Sequence, residues 1–421
     1  MTLATSLAGQ AFTLITGVIA ARALGVDGRG TLALLWLAPL ILALLGGIGI
    51  PPAVTYYVAR EKVHARAIIR LSLQITILLA TLLGLLYALG LVIFAGDNHD
   101  FPLVAVACSV AMIPLFLGQN LAIAALLGQE RFRAYNAARL IPVAAYALFS
   151  TFLVVSGSAT LASILGAALA SWLIAMTISW TQIARTGPDA EGETPVTRGE
   201  IMSFGVRGVV GSVSPIDDVR LDQFMVGLLL DARALGLYVA AIAFCNIQRF
   251  VAQAVGAVSY PRIASERRGP QAWSLTSRYF RIGLALVAVC TVILLLLLPV
   301  LLPLLFGEDF SDAVGLGRIL LAGTFFLSVH RLLTELARGL GHPGYASISE
   351  AANAVIFLVV VFLVLSPITA SGVAWAVVVG GVVCVALLGC LLLRLRKPLL
   401  GGHPNEPHPE LPDRNPELPE D

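Results

Sequence analysis

Asp217, Asp218, Arg220 and Asp222 crowd the stretch from Pro215 to Gln223 in a chain otherwise poor in charge. Asp217 and Arg220 are spaced i,i+3 and Asp218 and Asp222 i,i+4, which puts the members of each pair on one helix face. A second set, Asn246, Arg249 and Gln253, falls at i, i+3 and i+7. A third contains His330, Arg331, Glu335 and Arg338, with Arg331 and Glu335 spaced i,i+4. Guanidinium groups hold phosphate or pyrophosphate through paired hydrogen bonds. The carboxylates would either keep such an anion from binding too tightly or couple to H⁺ or Na⁺, and the residues do not choose between these. There is no nucleophile–base pair, metal-ligand cluster or glycine-rich phosphate loop. No catalytic residue, metal or cofactor is therefore expected.

The elements that must carry these residues are membrane-spanning helices. The chain has 421 residues, a mean hydropathy of +0.89, 58% hydrophobic residues and 12% charged ones. A soluble protein would carry about twice that charge. The apolar residues fall in blocks long enough to cross a hydrocarbon core of about 30 Å. The blocks run over 3–21, 31–58, 68–95, 103–127, 137–156, 159–184, 201–230, 234–260, 280–306, 313–340, 345–366 and 370–393. The fold expected is an all-α polytopic membrane protein with twelve transmembrane helices. The net charge of +2 gives no reason to expect nucleic-acid binding. The five cysteines lie inside apolar blocks and read as packing residues.

Charge at bilayer depth persists mainly where it faces a cavity or a partner. Counting from Glu200 at 1.5 Å per residue, Asp217 to Asp222 fall near mid-membrane, just after a bend expected at Pro215. They read either as a cavity-lining face or as an internally paired structural cluster. Arg249 is deep in the eighth span, too deep for easy snorkelling. Arg331 is deeper in its span than Arg338, for which an intrahelical pair with Glu335 suffices. The ninth span is nearly all Leu, Val and Ile and is expected to face lipid.

Arg and Lys concentrate in the second, fourth and eighth loops and at the C-terminal end, which by the positive-inside rule makes the even loops and both termini cytoplasmic. Arg22, Arg29 and Arg233 oppose this pattern. Ala21 to Gly25 (ARALG) recurs as Ala232 to Gly236, FAGD at 94–97 matches FGED at 306–309, and Leu127-Gly128 matches Leu340-Gly341, all at nearly one offset. Such a coincidence indicates an internal repeat of six spans, arranged as two pseudo-symmetric six-helix bundles, the architecture of transporters with a midplane site. The offset sets Arg331 opposite Gln119 and Asn120, a pairing that suggests a shared central site. The expected divisions are a first bundle at 1–184, a cytoplasmic linker at 185–200, a second bundle at 201–396 and a disordered acidic, Pro-rich tail at 397–421. Thr197 and Glu200 have the spacing of a capping box opening the seventh span. No basic region precedes the first span, which begins abruptly at Leu3, so a short arm is expected to be missing.

ARALGVDGRG at 21–30, RLDQFMVGLLLDARALGLYVA at 220–240, LLFGEDFSDA at 304–313 and the turn from Gly339 to Gly344 together resemble polysaccharide-biosynthesis flippases of the O-antigen type. These belong to the multidrug/oligosaccharidyl-lipid/polysaccharide exporter superfamily. The resemblance implies a bacterial inner-membrane protein that works by alternating access between two six-helix bundles. The implied substrate is an undecaprenyl-pyrophosphate-linked oligosaccharide carried from the cytoplasmic to the outer leaflet. Membrane lipids, a coupling ion and polysaccharide-assembly enzymes are the implied partners. Asp217, Asp218, Arg220, Asp222 and Arg249 fit the charged residues that line the central cavity of such flippases. The rival readings are a lipid II flippase, which would need two more spans, a cation-coupled drug exporter of the same superfamily, and a membrane glycosyltransferase, which would need a large outward loop.

Overall fold

The computed structural model describes residues 2–47, 49–61, 64–95, 102–185, 196–209, 214, 216, 219–266 and 270–401. Most of the expected linker, residues 402–421 of the expected tail, and both Asp217 and Asp218 lie outside the described residues. The described chain forms thirteen α-helices: α1 (Thr2–Gly46), α2 (Ile50–Arg60), α3 (Ala65–Ala95), α4 (Leu103–Gly128), α5 (Phe132–Val155), α6 (Leu161–Ala184), α7 (Arg198–Val209), α8 (Leu221–Leu229), α9 (Ala232–Ala264), α10 (Pro270–Phe306), α11 (Ala313–Gly339), α12 (Pro343–Val359) and α13 (Ala370–Gly401). A π-helical turn at Val360–Val364 prolongs α12. Among the described residues, ten helices are long and apolar enough to cross a membrane. The fold is all-helical, as expected.

Thirteen helices arise from the twelve expected spans through one merger and two breaks. A straight helix of α1's 45 residues would extend about 67 Å, twice the hydrocarbon core. Gly25, at φ 69° and ψ −173°, interrupts it, a conformation that glycine reaches without a Cβ penalty. Thr13 and Thr16 line the same cavity as Trp36 and Leu37, so the two limbs fold back on each other as the first and second spans. The second span then breaks after Gly46. Gly49 is left-handed at φ 67°, and two prolines open α2, where their missing N–H groups cost nothing.

The seventh span is broken more deeply. Pro215 was expected to bend it; among the described residues α7 ends at Val209 and α8 begins at Leu221, and the faces expected to be shared with Asp217 and Asp218 lie outside the described residues. Thr197 and Glu200 form the capping box of α7: Thr197 N–H and Oγ1 donate to Glu200 Oε2 at 2.7 and 2.9 Å, and Glu200 N–H donates to Thr197 Oγ1 at 3.3 Å. The backbone and hydroxyl donors of Thr197 hold the exposed Glu200 carboxyl below its usual range. At the C-terminal end, α13 continues through Gly401, into the first residues of the expected tail.

Packing follows the two halves with one exchange. Buried residues of α1–α6 form two apolar clusters, and those of α8–α13 form three. Val196 and Ile201, flanking and opening α7, belong with α2, α3 and α4 of the first half. Phe204 stacks on Tyr56 at 4.7 Å, and Arg198 Nη2 donates to Gln74 Oε1 at 2.6 Å. Met225 and Val226 of α8 belong instead to the second half. Among the described residues, packing partners therefore change from those of the first half to those of the second between α7 and α8. Reciprocally, Ala21, Val26 and Ala33 of α1 pack in the second half's core. As expected of the ninth span, α10 leaves Leu286, Val289, Leu296 and Val300 exposed in the row that a lipid-facing helix presents.

The halves touch closely where the second ARALG meets residues 26–30, just after the first. A Cβ on Gly30 would overlap the carbonyl oxygen of Ala232 and come within 2.6 Å of its carbon and 2.9 Å of Gly236 N. One on Gly236 would overlap the Val26 carbonyl oxygen and come 3.2 Å from Gly30 N. Nearby, Arg22 Nε and Nη2 donate to the carbonyls of Leu305 and Leu304 at 2.7 and 2.5 Å, capping the end of α10. Arg233 pairs with Asp312 at 3.5 Å. Two of the arginines that oppose the loop-charge pattern thus tie helix ends together on this face.

Candidate functional site

A cavity of about 280 Å³ lies between the halves. Both limbs of α1 contribute to it, with Thr13, Thr16 and Gly17 on one and Arg29 and Trp36 on the other. Tyr146 of α5 and Trp172 of α6 close the first-half side, while Arg220, Gln223 and Val239 close the second-half side. Trp36 packs on Tyr146 with ring centres 5.5 Å apart, and Phe116 meets Trp172 edge-on at 4.6 Å, so this wall is aromatic and stiff.

The opposite wall is cationic. Arg220 stands at the start of α8 with φ 54° and ψ 44°, a left-handed backbone that costs a non-glycine residue about 1–2 kcal/mol. The break thereby aims its guanidinium and the N-terminus of α8 at the cavity, an arrangement that favours anions. Arg29 lies within electrostatic reach of Arg220 and Tyr146, and Arg220 within reach of Arg249 and Asp222. Arg29 Nε is shielded from solvent and has no hydrogen-bond partner. Arg249 Nη1 donates to Asn246 Oδ1 at 3.1 Å. Asp222, fully buried, accepts from Tyr238 Oη at 2.9 Å, and its other oxygen has no hydrogen bond. Arg220 and Arg249 thus lie near one carboxylate, with Arg29 within reach of Arg220, leaving excess positive charge at the junction of the halves.

The sequence-predicted residues do not all converge here. Arg220 lines the cavity, and Asp222, Arg249 and Asn246 stand behind it. Gln253, expected on the same face as Asn246 and Arg249, is exposed on α9 because that helix continues beyond the cavity. Gln119 is fully buried in the first half, donating to the Ala138 carbonyl at 2.8 Å and to Ser179 Oγ at 3.2 Å. Asn120 lines a separate cavity of about 1040 Å³. Arg331 pairs with Glu335 at 3.6 Å and does not line the central cavity. The pseudo-symmetric pairing of Arg331 with Gln119 and Asn120 is therefore not a shared central site. Each is used within its own half.

Arg29 was read from the sequence only as an exception to the loop-charge pattern. The helix resumes immediately after Gly25, which carries Arg29 one turn into the second span. Its opposition to the charge pattern was the available signal. In the second half, Ser214 within the break donates to Glu350 Oε2 at 2.9 Å, Glu350 Oε1 lies 3.5 Å from His330 Nδ1, and His330 Nε2 meets Ser349 Oγ at 2.7 Å. Among the described residues no three His, Cys, Asp or Glu side chains are grouped to hold a metal.

Known proteins share this architecture. The inward closed conformation of the lipid II flippase MurJ superposes with a TM-score of 0.73 at 14% identity, covering 92% of this chain and 87% of that one. The inward-facing conformation of a multidrug resistance MATE family transporter of the MOP superfamily gives 0.69 at 12% identity, covering 92% and 96%. An outward-facing conformation of a transporter of that family gives 0.58 at 13% identity, covering 94% of each chain. At these identities the likeness establishes the fold alone. Comparison with curated protein sequences gives no match. The profile of the family described as polysaccharide biosynthesis protein, however, matches residues 1–266, which include the first six spans, the broken seventh span and all three central arginines. The chain belongs to that family.

Proposed function

We propose that the protein is a flippase that carries a polyprenyl-pyrophosphate-linked oligosaccharide from the cytoplasmic to the outer leaflet of the bacterial inner membrane, for surface polysaccharide biosynthesis. The observation that carries this reading is that Arg29 and Arg220 line one cavity at the junction of the two halves, with Arg249 within reach of Arg220. Fixed guanidiniums and a helix N-terminus in a cavity of low dielectric suit a pyrophosphate. Trp36, Tyr146 and Trp172 offer flat apolar faces against which the C–H faces of sugars pack. Arg60, Arg66, Arg131 and Arg198 cluster on the face opposite the Gly30–Gly236 contact, and we assign that face to the cytoplasm, with both termini. The halves touch at the outer face, so alternating access would part them there to release the headgroup.

The test is transport of a fluorescent polyprenyl-diphosphate saccharide in proteoliposomes, read by its accessibility to an impermeant quencher. Arg29→Ala and Arg220→Ala, inserted at matched levels, should abolish the change in accessibility. Wild-type rates in both would remove the cationic cavity from the mechanism.

A cation-coupled exporter of small molecules is the second reading. It is favoured by the buried His330–Glu350 pair, tied through Ser214 to the broken span. Dye efflux driven by H⁺ or Na⁺, insensitive to Arg29→Ala and Arg220→Ala, would select it.

A further inference from the structure

The cavity of about 1040 Å³ in the first half is not used by the headgroup site. It opens where the second span breaks, between Gly46 and Ile50, and is walled by α1, α2 and α4, with Thr76 of α3 and Tyr135 of α5. Leu44, Leu117, Leu121 and Ile123 give it an aliphatic lining, interrupted mainly by Asn120, Thr55 and, at the cytoplasmic mouth, Tyr56 and Arg60. Its predominantly aliphatic lining favours an apolar occupant over water.

One stripe of α1 joins this cavity to the arginines. Arg29, Leu32, Trp36 and Leu40 line the central cavity, and Ala43, Leu44 and Gly47 continue the same i, i+3/i+4 row into the apolar one. The stripe extends about 22 Å from Arg29 to Leu44. It is cationic at one end and aliphatic at the other, the complement of an anionic lipid. The α5 helix repeats the pattern, with Tyr146 and Pro142 on the central cavity and Tyr135 on the apolar one.

We propose that the apolar cavity at the break of the second span seats the hydrocarbon chain of the lipid whose anionic headgroup occupies the arginine-lined cavity. The assignment rests on the headgroup reading above. It makes the first half the hydrocarbon-binding half and leaves most of the headgroup charge to the second.

The probe is a long-chain polyisoprenyl diphosphate carrying a diazirine near the chain end, photolysed on the full-length protein in vesicles. Adducts should map to Leu44, Asn120 and Ile123. Their yield should fall about tenfold in Leu44→Trp, the loss expected if the ring excludes roughly two methylene groups from the cavity. Ile123→Trp, on a different wall, guards against one variant failing to fold. Binding of isopentenyl diphosphate, too short to reach the cavity, should be unchanged by both and lost in Arg29→Ala and Arg220→Ala.

Adducts confined to exposed α10 residues such as Leu296 and Val300 would overturn the chain site and leave the headgroup site standing. The same follows if both tryptophan variants displace co-purifying phospholipid without affecting the probe, since the occupant would then be a bilayer lipid. Cavity adducts insensitive to Arg29→Ala and Arg220→Ala would refute the link between the two cavities. Failure of isopentenyl diphosphate to bind the wild-type protein would refute the headgroup reading itself.

Discussion

Replacing Gly30 by Ala sets helix propensity against close packing, so the sign of the effect is informative. Alanine in a helix interior is normally favoured over glycine by about 0.8–1.0 kcal/mol. Here the new methyl would meet the backbone of Ala232 and Gly236, with the Ala232 carbonyl carbon at 2.6 Å where ordinary contact begins at 3.4 Å. The obstructing atoms belong to a helix backbone and have no rotamer to change, so α1 and α9 must part by about 1 Å. Overpacking of this kind costs about 1–3 kcal/mol, and it falls only on the state in which the halves touch at this face. At the upper end, the equilibrium would shift roughly 100-fold toward states parted there. Spin labels at Thr31 and Asp231 in otherwise labelled-free protein would report the distance distribution. Gly84→Ala, in α3 with nothing within 4 Å of its Cβ, is the control and should be neutral or stabilising. An unchanged distribution in Gly30→Ala, with stability rising as in the control, would refute the reading of this contact as a closed gate. Lower stability with an unchanged distribution would refute its state dependence.

Arg22→Ala removes the donors to Leu304 and Leu305 and should shift the same distribution in the same direction, by about 0.5–1 kcal/mol, since the side chain is exposed. Tyr238→Phe deprives buried Asp222 of its hydroxyl donor and should destabilise the protein by about 1.5–3 kcal/mol in thermal unfolding. Loss of that penalty in an Asp222→Asn background would identify the carboxylate as the acceptor. Glu200 has a depressed folded-state pKa, so its contribution to holding α7 is complete above the ordinary value of 4.5 and declines as the pH falls below it. Amide exchange at the α7 N-terminus should therefore quicken on acidification in the wild type. In Glu200→Gln it should be insensitive to pH over that range after correction for intrinsic exchange.

The spans were legible because hydropathy over some twenty residues reports a bulk requirement, the satisfaction of backbone groups in hydrocarbon. The repeat was legible as a sequence match, but its two glycines do different work: Gly25 turns the chain at φ 69°, while Gly236 lies against Val26 and Gly30. The breaks were only partly legible. Pro215 marked the seventh span, but whether a proline bends a helix or ends it depends on what neighbouring helices offer the freed carbonyls. At the second span, Gly46, Gly47, Gly49 and two prolines sat inside an apolar block that read as unbroken. The gathering of Arg220, Asp222 and Arg249 was legible because charge in an apolar block stands out in the sequence, although Arg220 stands at a helix break and not within a helix. Placement was misread for Gln119, whose partners are a carbonyl and a hydroxyl that no spacing rule announces, and for Gln253, where a correct helical face outran the cavity. Arg29 escaped because a residue one turn past a loop glycine reads as loop until the path of the chain is known.

The seventh span joins the two halves by more than a tether. Its first segment is part of one core and its second part of the other, while the end of the first span reaches back the opposite way. The two exchanges interlock the halves, so any movement that parts them must also carry α7 with the first half and α8 with the second, and the chain between these helices takes up the difference.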